Sequence, residues 1–126
     1  MFPQVAALAR RPLPLGIGQI GRSFRNEIDT NRFIFRTREF EQLELQYFVE
    51  PGTSAKHHSA WVQRCRQWLH RRVGLREDRV RLREYHGEEL AHYATATTDL
   101  EFCYPHGWDE LWGIADRGDY DLQRHE

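Results

Sequence analysis

Two short stretches of this chain concentrate side chains able to handle a charged ligand. Phe24-Arg25-Asn26-Glu27 sets a guanidinium two residues from a carboxylate and behind an aromatic ring. Phe33-Ile34-Phe35-Arg36-Thr37-Arg38-Glu39-Phe40-Glu41-Gln42-Leu43-Glu44 repeats the same residue types. Arginine presents a planar fork that suits bidentate contacts to phosphate. Taken singly, an Arg and a Glu on paired strands also read as a surface cross-strand pair, and a strand aromatic as core. A third candidate, Gly16-Ile17-Gly18-Gln19-Ile20-Gly21, matches the dinucleotide fingerprint. That chemistry needs an apolar strand before the glycines and a helix after them. Pro12 and Pro14 precede them, and the residues that follow lack a helical apolar period, so the glycines read as part of a strand with close backbone neighbours.

Seven histidines raise the question of a metal, but their spacing does not support one. His57 and His58 are adjacent and diverge on a helix, His86 and His92 are six apart, and no C-x-x-C or H-E-x-x-H is present. No zinc site is predicted. Cys65 and Cys103 fit free thiols better than a disulfide scaffold, and Cys103 has no base at a recognisable spacing.

The elements that must position these groups follow from periodicity. Phe2 to Arg11 reads as a short helix ended by Pro12 and Pro14. Residues 17–49 read as two antiparallel strands around a loop at Ile28 to Phe35. From Phe40 on, Phe40, Gln42, Glu44 and Gln46 fall on one face, and Glu41, Leu43, Leu45 and Tyr47 on the other. Residues 53–73 are the strongest helix, capped by Thr53 or Ser54, with Trp61, Cys65, Trp68, Leu69 and Val73 as its apolar stripe and Gly74 as its C-cap. Arg79 to Tyr85, Thr97 to Tyr104 and Trp108 to Ala115 read as strands joining the first pair in one sheet. Pro105-His106-Gly107 is a turn, and Asp116 to Glu126 begins a helix. The expected class is α+β, a mostly antiparallel sheet with flanking helices.

Size and composition bound the rest. A chain of 126 residues with four Trp, five Tyr and seven Phe suits one folded domain rather than disorder. No apolar run approaches the roughly 18 residues that span a bilayer. The short apolar N-terminus lacks a preceding basic region and argues against a signal peptide. The net charge of −1 divides into +4 for residues 1–40, +1 for 41–98 and −6 for 99–126. A basic front can meet phosphates and an acidic back cations, though a mixed solvated surface gives the same counts. The arginines on the outer helix face, Arg64, Arg66, Arg71 and Arg72, read as solvated.

The two stretches together resemble motif 2 of the class II aminoacyl-tRNA synthetases: an F-R-x-E strand, a loop, then R-x-x-x-F-x-x-x-[D/E] on a second strand. Arg36, Phe40 and Glu44 fit the second half. With LPLGIGQIGRSFRNE, EELAHY at 88–93 and GWDELWGIADRGDYDL at 107–122, the likeness narrows to the glycyl-tRNA synthetases of the single-chain type. It runs from about residue 13 to residue 125.

The resemblance implies a glycine–tRNA ligase core using ATP and Mg²⁺, with glycine, ATP and tRNA(Gly) as partners, no DNA or membrane partner, and a cytoplasmic location. Arg25 would meet the α-phosphate, Arg36 the terminal phosphate and Glu27 the adenine amino group, while Phe40 would stack on adenine. The wider ATP set is Arg25, Asn26, Glu27, Phe35, Arg36, Thr37, Arg38, Glu39, Phe40, Glu110 and Leu111. The glycine set is Phe40, Glu41, Gln42, Leu43 and Glu44, with Glu44 on the ammonium. Glu110 would hold Mg²⁺ through ATP, and Arg25, Arg36 and Glu110 would be catalytic. His92 either lines the site or makes a structural hydrogen bond. The whole chain reads as a partial catalytic domain with motif 2 at about 17–49. It lacks motif 1, which forms the family's homodimer interface, as well as motif 3 and the anticodon-binding domain. The alternative is a non-catalytic nucleotide- or tRNA-binding module derived from a synthetase.

Overall fold

The computed structural model describes residues 2–124 and divides into two compact units that meet in sequence between Glu50 and Pro51. The first unit holds a helix, α1 (Phe2–Ala9), and two strands, β1 (Leu15–Phe24) and β2 (Glu39–Phe48). Arg10 takes a left-handed φ of 48° directly after α1, ahead of the expected prolines. Phe2 stacks on Phe48 with ring centres 4.0 Å apart. β1 and β2 pair antiparallel without a slip, from Leu15↔Phe48 to Phe24↔Glu39. One further bond, from the Arg25 N–H to the Arg38 carbonyl at 3.0 Å, carries the ladder into the loop. The loop is wider than expected, residues 25–38, because the strands end at Phe24 and Glu39. Arg32 and Phe33 turn its tip with φ of 56° and 59°.

The fingerprint glycines all lie in β1, so no helix opens after them. Their surroundings differ from expectation. A Cβ on Gly16 would touch the side chains of Tyr47 and Leu45 at 3.4 and 3.5 Å, one on Gly18 would reach the Glu44 carbonyl at 3.9 Å, and one on Gly21 would meet nothing within 4 Å.

The second unit begins with α2 (Ser54–Trp68), which runs into a wider π turn over Leu69–Val73. Gly74 ends it with φ of 80°, the left-handed geometry that favours glycine. Thr53 is the N-cap, but its side chain makes no capping bond. Three strands follow, β3 (Val80–Tyr85), β4 (Ala96–Tyr104) and β5 (Gly107–Asp116), and then the short α3 (Tyr120–Gln123). The two-residue turn Pro105-His106 joins β4 to β5. The expected final helix thus covers four residues, and its last positions lie outside the described residues.

Leu100 on the central strand β4 is fully buried, and Cys65, Leu69 and Val80 close around it. The helix therefore buries Val62, Cys65 and Leu69. Trp68 and Val73, expected in the stripe, are half exposed. Trp68 sits at the edge of that face and meets Trp112 edge-on, with ring centres 5.8 Å apart. Val73 is the last residue of the π turn, whose wider spacing takes it off the 3.6-residue stripe.

The expectation of a single sheet is corrected. The strands form a two-stranded sheet, β1-β2, and a separate three-stranded sheet, β3-β4-β5. Each strand pairs with its sequence neighbour through a local connection, the commonest outcome for antiparallel strands. The apolar drive is also uneven: β3 and β4 carry Val80 and Leu100 into the core, whereas Ile20, Phe24 and Leu43 of the hairpin stay mostly exposed.

Candidate functional site

Alternation about the β1-β2 hairpin decides which side chains can act together. The register sets Ser23 opposite Phe40, Gly21 opposite Gln42 and Gln19 opposite Glu44. Arg25 continues this face, and its guanidinium lies 5.1 Å from the centre of the Phe40 ring. One face therefore runs Arg25, Phe40, Gln42, Glu44: cation, aromatic ring, amide, carboxylate. Gly21 gives it an open floor. Gln42 donates from Nε2 to Glu44 Oε1 at 2.8 Å and holds that carboxylate in place. The Arg25 guanidinium carbon stands over the Phe40 ring, and among the described residues its N–H groups make no hydrogen bond. A cation over an aromatic face still has N–H donors to offer an anion.

The loop gathers around Glu27. Arg36 Nη1 stands 3.4 Å from Glu27 Oε2, and Arg38 Nε donates to the Glu27 carbonyl at 3.0 Å. The Glu27 N–H donates to the Arg25 carbonyl at 2.9 Å. The Arg36 pair is long and its guanidinium half exposed, a geometry worth about 0–1 kcal/mol, so a phosphate can compete for Arg36. Thr37 Oγ1 donates to the Glu39 carbonyl at 2.7 Å and tightens the start of β2. Asn26 and Phe35 belong to the same loop, where Arg32 lies 6.0 Å from the Phe35 ring centre.

Other expected residues face away. Glu39 pairs with Arg22 at 2.6 Å on the opposite face, where Leu43 faces Ile20 and Glu41 faces Arg22 in the register. A ligand lying on the Phe40 face would reach Glu41 and Leu43 only through their backbone.

Glu110 belongs to the second unit. On the β4-β5 ladder Glu101 faces Glu110 and Asp99 faces Gly113, with a register shift in which Leu111 is the extra residue. Such a bulge re-aims side chains. Glu110 and Gly113 are three apart and would lie on opposite faces of a regular strand; here they share one face. That face also carries Arg81 and Arg83, opposite Glu101 and Asp99. Arg81 Nε bonds Glu101 Oε2 at 2.5 Å, and Arg83 Nη1 is 3.8 Å from Glu101 Oε1. Tyr85 donates to Asp99 Oδ2 at 2.6 Å. That bond, reinforced by burial, pushes the Tyr85 hydroxyl up to about 12, so it remains a donor. Asp99 and Glu101 are buried, whereas Glu110 is exposed.

Asp99, Tyr85 and Gly113 are the neighbours that sequence reasoning missed. The signal was present in β4, where Asp99 and Glu101 alternate with Leu100 and Phe102. His92 stacks edge-on against Tyr93 and Tyr120, with ring centres 5.2 and 5.4 Å away. Cys65 is buried, which pushes its thiol up and leaves it inert. Among the described residues no three His, Cys, Asp or Glu side chains group to hold a metal by themselves, and no helix is long and apolar enough to cross a membrane.

The family described as tRNA synthetase class II core domain (G, H, P, S and T) matches residues 3–118. The chain is 54% identical over 124 residues to a glycine–tRNA ligase of Lysinibacillus sphaericus, covering 98% of the chain and 27% of that protein. It is 54% identical over 125 residues to one of Agathobacter rectalis, covering 99% and 27%. It is also 54% identical over 124 residues to one of Geobacillus kaustophilus, again covering 98% and 27%. The chain thus spans about a quarter of the length of these curated relatives.

Proposed function

The chain belongs to the class II tRNA synthetase core family, and on that premise we propose that it carries the ATP- and glycine-handling part of a glycine–tRNA ligase. In the reaction a glycine carboxylate oxygen attacks the α-phosphorus of ATP and pyrophosphate leaves with the bonding electron pair. The glycyl-adenylate then passes its acyl group to a hydroxyl at the end of tRNA(Gly) and releases AMP. Both reactants of the first step are anions, so the step needs fixed cations where charge gathers. The edge donors of Arg25 serve the α-phosphate, and Arg36 turns from Glu27 to the terminal phosphate. Phe40 receives the adenine ring, while Glu27 accepts the adenine amino hydrogens. Asn26, Phe35, Thr37, Arg38 and Glu39 frame the same loop. Glu44 holds the glycine ammonium group, with Gln42 steadying it at 2.8 Å.

Mg²⁺ fits as the accompanying ion. It takes hard oxygen ligands, and Glu110 offers an exposed carboxylate above Gly113, in space that a Cβ would fill. When bound with ATP, Mg²⁺ would offset charge on the phosphates. The chain's own part is to hold the Glu110 carboxylate at that place, beside Leu111. Family homodimers and a cytoplasmic site of action belong to the same proposal.

One observation carries this reading: cation, aromatic ring and carboxylate stand in order on one hairpin face, with Arg25 already 5.1 Å over Phe40. Its test is ATP binding to the purified chain by calorimetry, together with glycine-dependent ATP–pyrophosphate exchange. Exchange supports a ligase. ATP binding without exchange supports the binding-module alternative, and no ATP binding refutes both.

A further inference from the structure

Gly113 is placed where two carboxylates converge. A Cβ built on it would lie 2.9 Å from Glu110 Oε1 and 3.2 Å from Asp99 Oδ1. These two obstacles differ in kind. Asp99 is 6% exposed, on the central strand, and tied through its other oxygen to the Tyr85 hydroxyl at 2.6 Å. Glu110 is exposed, on the edge strand, and its carboxylate is the far end of a flexible side chain. A methyl group added at position 113 therefore displaces the flexible Glu110 tip most, and it also crowds the pinned Asp99.

We propose that Gly113 is a positioning residue for Glu110: its bare Cα is the floor on which that carboxylate lies, and Asp99, pinned by Tyr85, is the fixed wall beside it. The inference rests on the reading of Glu110 as the Mg²⁺–ATP carboxylate and extends it to three residues that do not touch the ligand. The bulge at Leu111 is what brings floor and carboxylate to one face. The wall acts by occupying space. Asp99 Oδ1 stands 3.2 Å from where a Cβ on Gly113 would lie, so the floor is closed on that side. Tyr85 matters because its hydroxyl holds the other Asp99 oxygen at 2.6 Å and so fixes where Oδ1 stands. The arrangement leaves the Glu110 carboxylate at the exposed rim of the sheet, where an incoming cation reaches it without entering the buried Asp99–Glu101 pair. Alanine at position 113 would fill the floor, shifting the Glu110 tip and pressing on Asp99 Oδ1 at 3.2 Å.

The test uses the full chain and calorimetric titration with ATP, with and without magnesium chloride. The readout is the gain in ATP affinity that Mg²⁺ confers. Residues that orient a metal ligand typically change metal affinity by about 10- to 100-fold. Gly113→Ala should lower the Mg²⁺-dependent gain by about tenfold. Glu110→Gln should lower it to a similar degree. The double variant Gly113→Ala/Glu110→Gln should lose no more than Glu110→Gln alone, because the glycine acts only through that carboxylate. Tyr85→Phe should give a smaller loss of the same kind. Additive losses in the double variant, or a full Mg²⁺ gain in Gly113→Ala while Glu110→Gln loses it, would overturn the positioning role alone. A full gain in Glu110→Gln would overturn the Mg²⁺ reading and the positioning role together.

Discussion

Replacing Arg25 by alanine removes a group that does two jobs at once. Its guanidinium carbon lies 5.1 Å from the centre of the Phe40 ring, and its N–H groups are left for an anion. A hydrogen bond to a charged group is worth about 1.5–3 kcal/mol. A partly exposed cation–π contact adds about 0.5–1 kcal/mol. The stack is already present without ligand, so its loss affects mainly how Phe40 is held; the phosphate contact sets the binding loss. The expected fall in ATP affinity is therefore about 10- to 100-fold. Arg25→Lys keeps the charge but loses both the fork and the flat face, and should recover only part of that loss. The assay is calorimetric titration of ATP into each variant at low and at moderate salt. The wild-type advantage should shrink as salt screens the phosphate charge. Equal affinities for wild type and Arg25→Ala would refute the phosphate role. Full rescue by Arg25→Lys would show that charge alone, and not the stacked fork, matters.

In a full-length ligase carrying this segment, Glu44→Gln should raise the glycine KM and lower kcat/KM while leaving the ATP KM nearly unchanged, because a charge-assisted contact becomes neutral at the amino-acid end only; pyrophosphate exchange with each substrate varied separately measures this. Leu100→Ala should destabilise the second unit by about 2–5 kcal/mol, read as a lower denaturation midpoint, since the side chain is fully buried. The Tyr85 hydroxyl is held at about 12 in the fold against an ordinary value of 10.0. Unfolded tyrosine therefore releases its proton first, so the contribution of Tyr85 is complete below pH 10, declines above it and is lost as pH rises through about 12. Tyr85→Phe should flatten that part of the denaturation-versus-pH curve.

Local pattern carried much of this molecule. Alternation from Phe40 onward placed Phe40, Gln42 and Glu44 on one face, and β2 keeps them there, because a strand's period of two does not depend on its partners. Gly74 marked the end of the helical stretch because a left-handed C-cap is a local backbone demand. The paired motif around Arg25 and Arg36 pointed to the family, which the match over residues 3–118 shows.

Tertiary structure decided the rest. Which face of α2 is buried depended on what stood opposite: Cys65 and Leu69 turned inward and Trp68 was left half exposed because Leu100 and Val80 set the centre of the core. The separation of the strands into two sheets depended on hydrogen-bond partners, which period-two patterning does not specify. Glu110 and Gly113 share a face only because the ladder slips at Leu111. A bulge is settled between two strands, by the register each accepts from the other, so neither strand's own residues announce it. The same holds for the Tyr85–Asp99 bond: its residues are 14 apart in sequence, and only the pairing of β3 with β4 brings the hydroxyl to the carboxylate.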